Sequence, residues 1–116
     1  MRKIMKFPLI LIFLALPISQ SNANDITCPP GSMIKGENTP EVKEAWCEII
    51  MNKKALMHGP YKAWYPSGIL GNKGQYNEGV ATGIWYSWYN NGSPQSEEHY
   101  KNGKVISKKQ WPKEFK

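Results

Sequence analysis

From residue 59 onward the chain alternates apolar and polar positions in short runs, and the alternation restarts after a fixed interval. Setting residues 59–79 over residues 83–103 gives a constant offset of 24. Gly59/Gly83, Trp64/Trp88, Tyr65/Tyr89, Gly68/Gly92, Tyr76/Tyr100 and Gly79/Gly103 are identical, and Tyr61/Trp85 are both aromatic. A gapless recurrence of this length signals a repeat architecture in which each unit completes the packing of its neighbour. Within each unit a residue-glycine pair recurs: Ser67-Gly68, Glu78-Gly79, Asn91-Gly92 and Asn102-Gly103. Such pairs supply the positive φ angles of tight hairpin turns, so the spacing predicts antiparallel strands of roughly five to seven residues. Tyr61, Ala63 and Tyr65 then share one side of a strand, and Trp85, Ser87 and Tyr89 take the matching places one unit later. Equivalent rings stack across strands, each pair contributing about 0.2 to 1 kcal/mol. Strict alternation sends Trp64 and Trp88 to the other side. Either a bulge turns them back or the sheet carries aromatics on both faces.

Upstream and downstream the pattern weakens. Residues 24–46, "NDITCPPGSMIKGENTPEVKEAW", are rich in Pro, Gly, Asn and charge and read as a loop-rich segment. "WCEIIM" and "ALMHG" around "NKK" suggest a leading hairpin, with a short helix over Glu41–Cys47 as the alternative. The repeat domain is expected over residues 47–116. A third unit starts and lapses: the period calls for Gly at 107 and Trp at 112, and the chain has Ser107, Pro112 and a displaced Trp111. Terminal repeats are commonly atypical, so residues 104–116 read as a degenerate cap, a closing strand and tail.

The first 23 residues change the picture of where this fold works. Arg2, Lys3 and Lys6 precede an apolar run over 7–18 and a polar stretch ending Ser21-Asn22-Ala23, the anatomy of a secretory signal peptide cleaved after Ala23. The run is 12 residues long and contains Pro8 and Pro17, whereas a spanning helix needs about 20 apolar residues. No transmembrane span is expected after cleavage, and the product is expected in the periplasm or outside the cell. Removal of this segment takes three of the fifteen basic residues and none of the nine acids, leaving twelve against nine, a formal +3. Most of the excess lies late, at Lys101, Lys104, Lys108, Lys109, Lys113 and Lys116. The chain beyond residue 23 has no arginine, so these lysines read as a solvated strand edge rather than a nucleic-acid site. Cys28 and Cys47 are the only cysteines. In an oxidising compartment they pair most simply as a disulfide pinning the loop-rich segment to the body.

The run Gly-x-aromatic-x-x-Trp-Tyr-x-x-Gly followed by Tyr-x-x-Gly, seen from Gly59 and again from Gly83, resembles the MORN repeat, in the bacterial variant found in YwqK-family antitoxins. The resemblance implies an all-β fold of antiparallel hairpins stacked in a single-layer meander. It also implies binding, scaffolding, dimerisation or lipid-surface roles. The short array, the leader and the cysteine pair depart from a cytoplasmic antitoxin.

Candidate chemistry is sparse. His58 and His99 are not repeat equivalents, and although Glu97 and Glu98 flank the latter, no ligand spacing recommends a metal site. Asp25 is the only aspartate and lies far from either histidine, which leaves no Ser-His-Asp arrangement. "GNKG" at 71–74 lacks the helix and hydroxyl of a phosphate loop. Glu48, Glu78, Glu97 and Glu98 have no spacing that fixes a glycosidase pair. No cofactor, metal or catalytic residue is expected. The expected function is an exported, non-catalytic binding or scaffold module. Its tentative contact residues are the aromatics Tyr61, Trp64, Tyr65, Trp85, Trp88 and Tyr89, facing another protein or a cell-envelope component. The alternative is an antitoxin or immunity-type inhibitor of a partner toxin.

Overall fold

The computed structural model describes residues 26–114; the leader and its cleavage point lie outside the described residues. Seven strands form one antiparallel sheet in sequence order: β1 (Met33–Asn38), β2 (Lys43–Met51), β3 (Lys54–Trp64), β4 (Leu70–Asn77), β5 (Val80–Trp88), β6 (Pro94–Lys101) and β7 (Lys104–Gln110). The all-β, single-layer meander expected from the period is the architecture observed.

Its turns differ at the two ends of the strands. At one end Asn52-Lys53, Glu78-Gly79 and Asn102-Gly103 join β2–β3, β4–β5 and β6–β7 with both turn residues at positive φ. That backbone twist matches paired strands, hence the Asn and Gly. At the other end, β3–β4 and β5–β6 are joined by five-residue connections, 65–69 and 89–93, that turn at Gly68 and Gly92, at φ +97° and +89°. The Gly68 N–H donates to the Tyr65 carbonyl and the Gly92 N–H to that of Tyr89.

A second device repeats inside the strands. His58, Gly59 and Pro60 of β3 stand opposite Cys47 alone, and Gly83, Ile84 and Trp85 of β5 stand opposite Gly74 alone. Each bulge includes a glycine at positive φ, 114° at Gly59 and 73° at Gly83. In β7 Ser107 replaces that glycine, and only Ile106 is extra between the Tyr100–Val105 and His99–Ser107 pairs. The third bulge is therefore one residue shorter, which accounts for the displaced tryptophan. The Tyr65 hydroxyl donates across β4 to the Trp88 carbonyl at 2.7 Å, and the Tyr89 hydroxyl across β6 to the Trp111 carbonyl at 2.9 Å. Trp111 thus occupies the ladder place of Trp88.

Units are also pinned at their opposite ends. The Gly79 N–H donates to the Met57 carbonyl at 2.7 Å, and the Gly103 N–H to that of Ala81, its equivalent 24 residues on, at 3.2 Å. The Glu78 N–H also donates to Nδ1 of His58, at 3.0 Å, which explains that histidine as a turn support.

A single layer leaves few positions to bury. Among the described residues only Ala45, Cys47 and Trp64 are buried apolar side chains. The buried cluster lies where the N-terminal segment folds over the sheet. Cys28 and Cys47 form the disulfide, and Pro29 sits so close to Gly59 that a Cβ there would lie 2.6 Å from its ring.

Two features of residues 24–46 differ from the sequence reading. Met33–Asn38 is a strand, and β2 begins at Lys43, with extended chain where a helix over Glu41–Cys47 was the alternative. Composition favours loop here because the strand draws its stability from pairing, not from its own residues. β1 pairs with β2 along all six positions, and the turn between them is closed by Thr39 N–H to the Val42 carbonyl at 2.8 Å and Val42 N–H to Oγ1 of Thr39 at 2.9 Å.

Two stability outcomes follow from this construction. Replacing Cys28 and Cys47 by serine releases a crosslink across a sequence separation of 19, and should lower unfolding free energy by about 3 kcal/mol in urea titration. Gly68→Val and Gly92→Val should each cost about 1 to 3 kcal/mol. A new Cβ meets nothing within 4 Å at either site, so the loss would come from backbone conformation alone; unchanged melting temperatures would contradict the turn assignment.

Candidate binding surface

Side chains of directly paired residues share a face, so the register lays out the surface. On one face lies a cross-strand row of Trp46, Tyr61 and Gly74, continued by Trp85, Glu98 and Lys108. Trp85 is its centre. Tyr61, Tyr76 and Tyr100 surround it with ring centroids 5.5, 5.1 and 5.9 Å away, and Tyr76 and Tyr100 approach edge-on. Edge-to-face packing sets the positive rim of one ring against the negative face of another and adds about 0.5 to 1.5 kcal/mol per pair beyond burial. The ring fits because Gly74 has no side chain: a Cβ there would lie 2.1 Å from Trp85 Cδ2.

Carboxylates rim these rings. Tyr61 donates its hydroxyl to Glu44 at 2.7 Å, Trp46 its Nε1–H to Glu48 at 3.4 Å, and Tyr100 its hydroxyl to Glu98 at 3.3 Å. Lys108 pairs with Glu98 at 3.1 Å. Trp85 Nε1 is buried without a hydrogen-bond partner. Burial first, and then the neighbouring carboxylate, push the hydroxyls of Tyr61, Tyr76 and Tyr100 above the ordinary phenol value. These phenols stay neutral, and those of Tyr61 and Tyr100 act as donors. Beside the ring cluster runs a polar row, Glu44, Ala63, Asn72, Ser87, Ser96 and Gln110, in which the Ser87 hydroxyl donates to Oδ1 of Asn72 at 2.9 Å. Flat rings beside fixed acceptors and amides make a surface suited to stacking and hydrogen bonding. Among the described residues no group of three His, Cys, Asp or Glu side chains converges as for a metal ion.

The six aromatics expected as contact residues are divided between the two faces of the sheet and its ends. Tyr61 and Trp85 belong to the cluster. Tyr65 and Tyr89 commit their hydroxyls to the main chain, and the Tyr65 ring covers Gly71, where a Cβ would lie 3.2 Å away. Trp88 stacks on Tyr86, two residues away on the opposite face, with centroids 6.0 Å apart and planes at 24°. Trp64 is 8% exposed, beside Ala45 and the β1–β2 hairpin. The sheet thus carries aromatics on both faces, because an odd step along a strand reverses the side chain. Trp46, Tyr76 and Tyr100 were missed. The recurrence of Tyr76 as Tyr100 was the available signal; Trp46 lies ahead of the period and had none.

The raised tyrosines set a pH dependence. A phenol that holds its proton more tightly in the folded chain contributes stability fully below its unfolded value of 10.0, and that contribution is lost as pH rises beyond it. Melting temperature should therefore fall steeply above about pH 10, and Tyr61→Phe should flatten the fall while costing about 0.5 to 1.5 kcal/mol at neutral pH through the lost bond to Glu44. An equally steep alkaline fall in the variant would sink the assignment.

The repeat geometry agrees with an independent likeness. No curated protein and no solved structure matches the chain. Repeats of the MORN type are generally non-catalytic and serve as binding or scaffold modules toward proteins or membrane lipids. Residues 57–78 and 81–102, the two central units that carry Tyr61, Tyr76, Trp85 and Tyr100, each match the MORN repeat variant.

Proposed function

We propose that this protein is an exported, non-catalytic binding module whose ring cluster around Trp85 receives another protein or a cell-envelope component. The observation that carries this reading is the cluster itself: four rings gathered on one face of the sheet, with the hydroxyls of Tyr61 and Tyr100 turned to fixed carboxylates. Such rings offer large contact area at little cost in side-chain freedom. Export is supported by the leader-like first 23 residues and by the disulfide, which persists in oxidising compartments.

Capture from envelope extracts by crosslinking tests it. Tyr100→Ala and Trp85→Ala should weaken capture of the principal partner at least about tenfold, as for a central aromatic anchor, while Trp88→Ala on the reverse face leaves it intact. Equal capture by all three variants, with each still folded by circular dichroism, would move the site elsewhere. If the partner captured is a single toxin, the module is of the immunity type. Turnover of envelope glycans, lost in Glu98→Gln, would instead make it an enzyme and end this reading.

A further inference from the structure

Among the described residues the sheet ends in two unpaired edges, β1 and β7, and they are built differently. β7 carries Lys104, Lys108 and Lys109 in seven residues and a register shift beside Tyr100. Lysines and bulges are the usual protection of a sheet edge against further pairing. β1 has no register shift and a single lysine, Lys35. Its six residues, MIKGEN, pair with β2 in unbroken register, all six are exposed, and they hold one lysine and one glutamate.

The free hydrogen-bonding groups of β1 follow from its turn. Thr39 N–H donates to the Val42 carbonyl, and antiparallel ladders alternate bonded and non-bonded pairs. Glu37, Lys35 and Met33 therefore bond inward to Glu44, Trp46 and Glu48. The N–H and C=O groups of Ile34, Gly36 and Asn38 point out of the sheet.

We propose that β1 is a self-pairing edge, at which two copies of this chain join antiparallel about a two-fold axis through Gly36. Outward residues must meet outward residues, so the axis has to pass through a residue and not between two. An axis at Lys35 opposes that lysine to its own copy, and an axis at Glu37 opposes two glutamates, each arrangement destabilising. At Gly36 the charges alternate correctly: Lys35 faces Glu37 of the second copy, and Glu37 faces its Lys35. Gly36 then exchanges two hydrogen bonds with its copy, flanked by Ile34–Asn38 pairs on both sides. Glu37 is exposed. It stands directly across from Glu44, and it takes part in neither of the two ion pairs found among the described residues. Lys35 reaches Glu48 only at 4.0 Å. Because the axis runs perpendicular to the sheet, both ring clusters would look toward the same side. Self-pairing uses β1 alone and is independent of what the ring cluster binds.

Sedimentation equilibrium of the purified disulfide-bonded protein up to about 1 mM, where weak pairing registers, should show a reversible monomer–dimer equilibrium. Glu37→Lys should raise the dissociation constant at least about tenfold, equivalent to 1.4 kcal/mol, and Lys35→Glu combined with Glu37→Lys should restore it. Unchanged melting temperatures in these exposed-site variants keep folding out of the comparison. Amide exchange gives a second readout: Ile34, Gly36 and Asn38 should slow as concentration rises, while Lys35 and Glu37 do not respond. A monomer at every concentration overturns the proposal. So does a dimer indifferent to Glu37→Lys, or concentration-dependent protection confined to β7.

Discussion

The contact between Trp85 and the bare backbone of Gly74 is the constraint from which the rest of the sheet takes its form. A domain ordinarily buries its apolar face against a second layer, and among the described residues none covers this one. The ring has to lie down across a neighbouring strand, which is possible only where that strand has no side chain. Once it lies there, Tyr61, Tyr76 and Tyr100 can close around it. The three-for-one bulge in β5 brings Trp85 opposite Gly74, and Gly83 lets that bulge form. The half-buried state of the rings is thus inherent in the architecture, and a half-buried aromatic surface remains open to a partner.

Where no second layer exists, the chain is held by bonds that skip a strand. Tyr65 and Tyr89 reach over one strand to the main chain of the next at one end, and Gly79 and Gly103 reach back at the other. The disulfide works on the same principle at the N-terminal side, drawing residues around Pro29 onto the back of β2 and β3. It lies close to the buried cluster of Ala45, Cys47 and Trp64, so covalent and packing contributions fall in one place while the C-terminal strands rely on ladder bonds and clasps.

Much of the fold was legible because glycine and aromatic spacing carry it. The 24-residue offset identifies the hairpins, and residue-glycine pairs locate the turns. What sequence could not show has a common physical origin: period counts residues, whereas a sheet is organised by ladder positions. Trp111 looks displaced until the shorter bulge at Ile106 is known, after which it falls in step. β1 was hidden because its stability belongs to its pairing with β2. The binding surface was half legible. Alternation separated Tyr61 and Trp85 from Trp64 and Trp88, but it takes the folded chain to tie Tyr65 and Tyr89 to the main chain and to bring Trp46 into the row from outside the repeats.

The bulge and the tyrosine clasp also set a rule for how such a chain can change in length. Each clasp joins a tyrosine to the main chain of the strand pair that follows, so one hairpin's glycine spacing must match its successor's. Gene duplication can lengthen the array by whole 24-residue modules and keep every clasp in phase. A lone inserted residue inside a module would dephase it, unless a neighbouring bulge shrinks in compensation, as the last module has done.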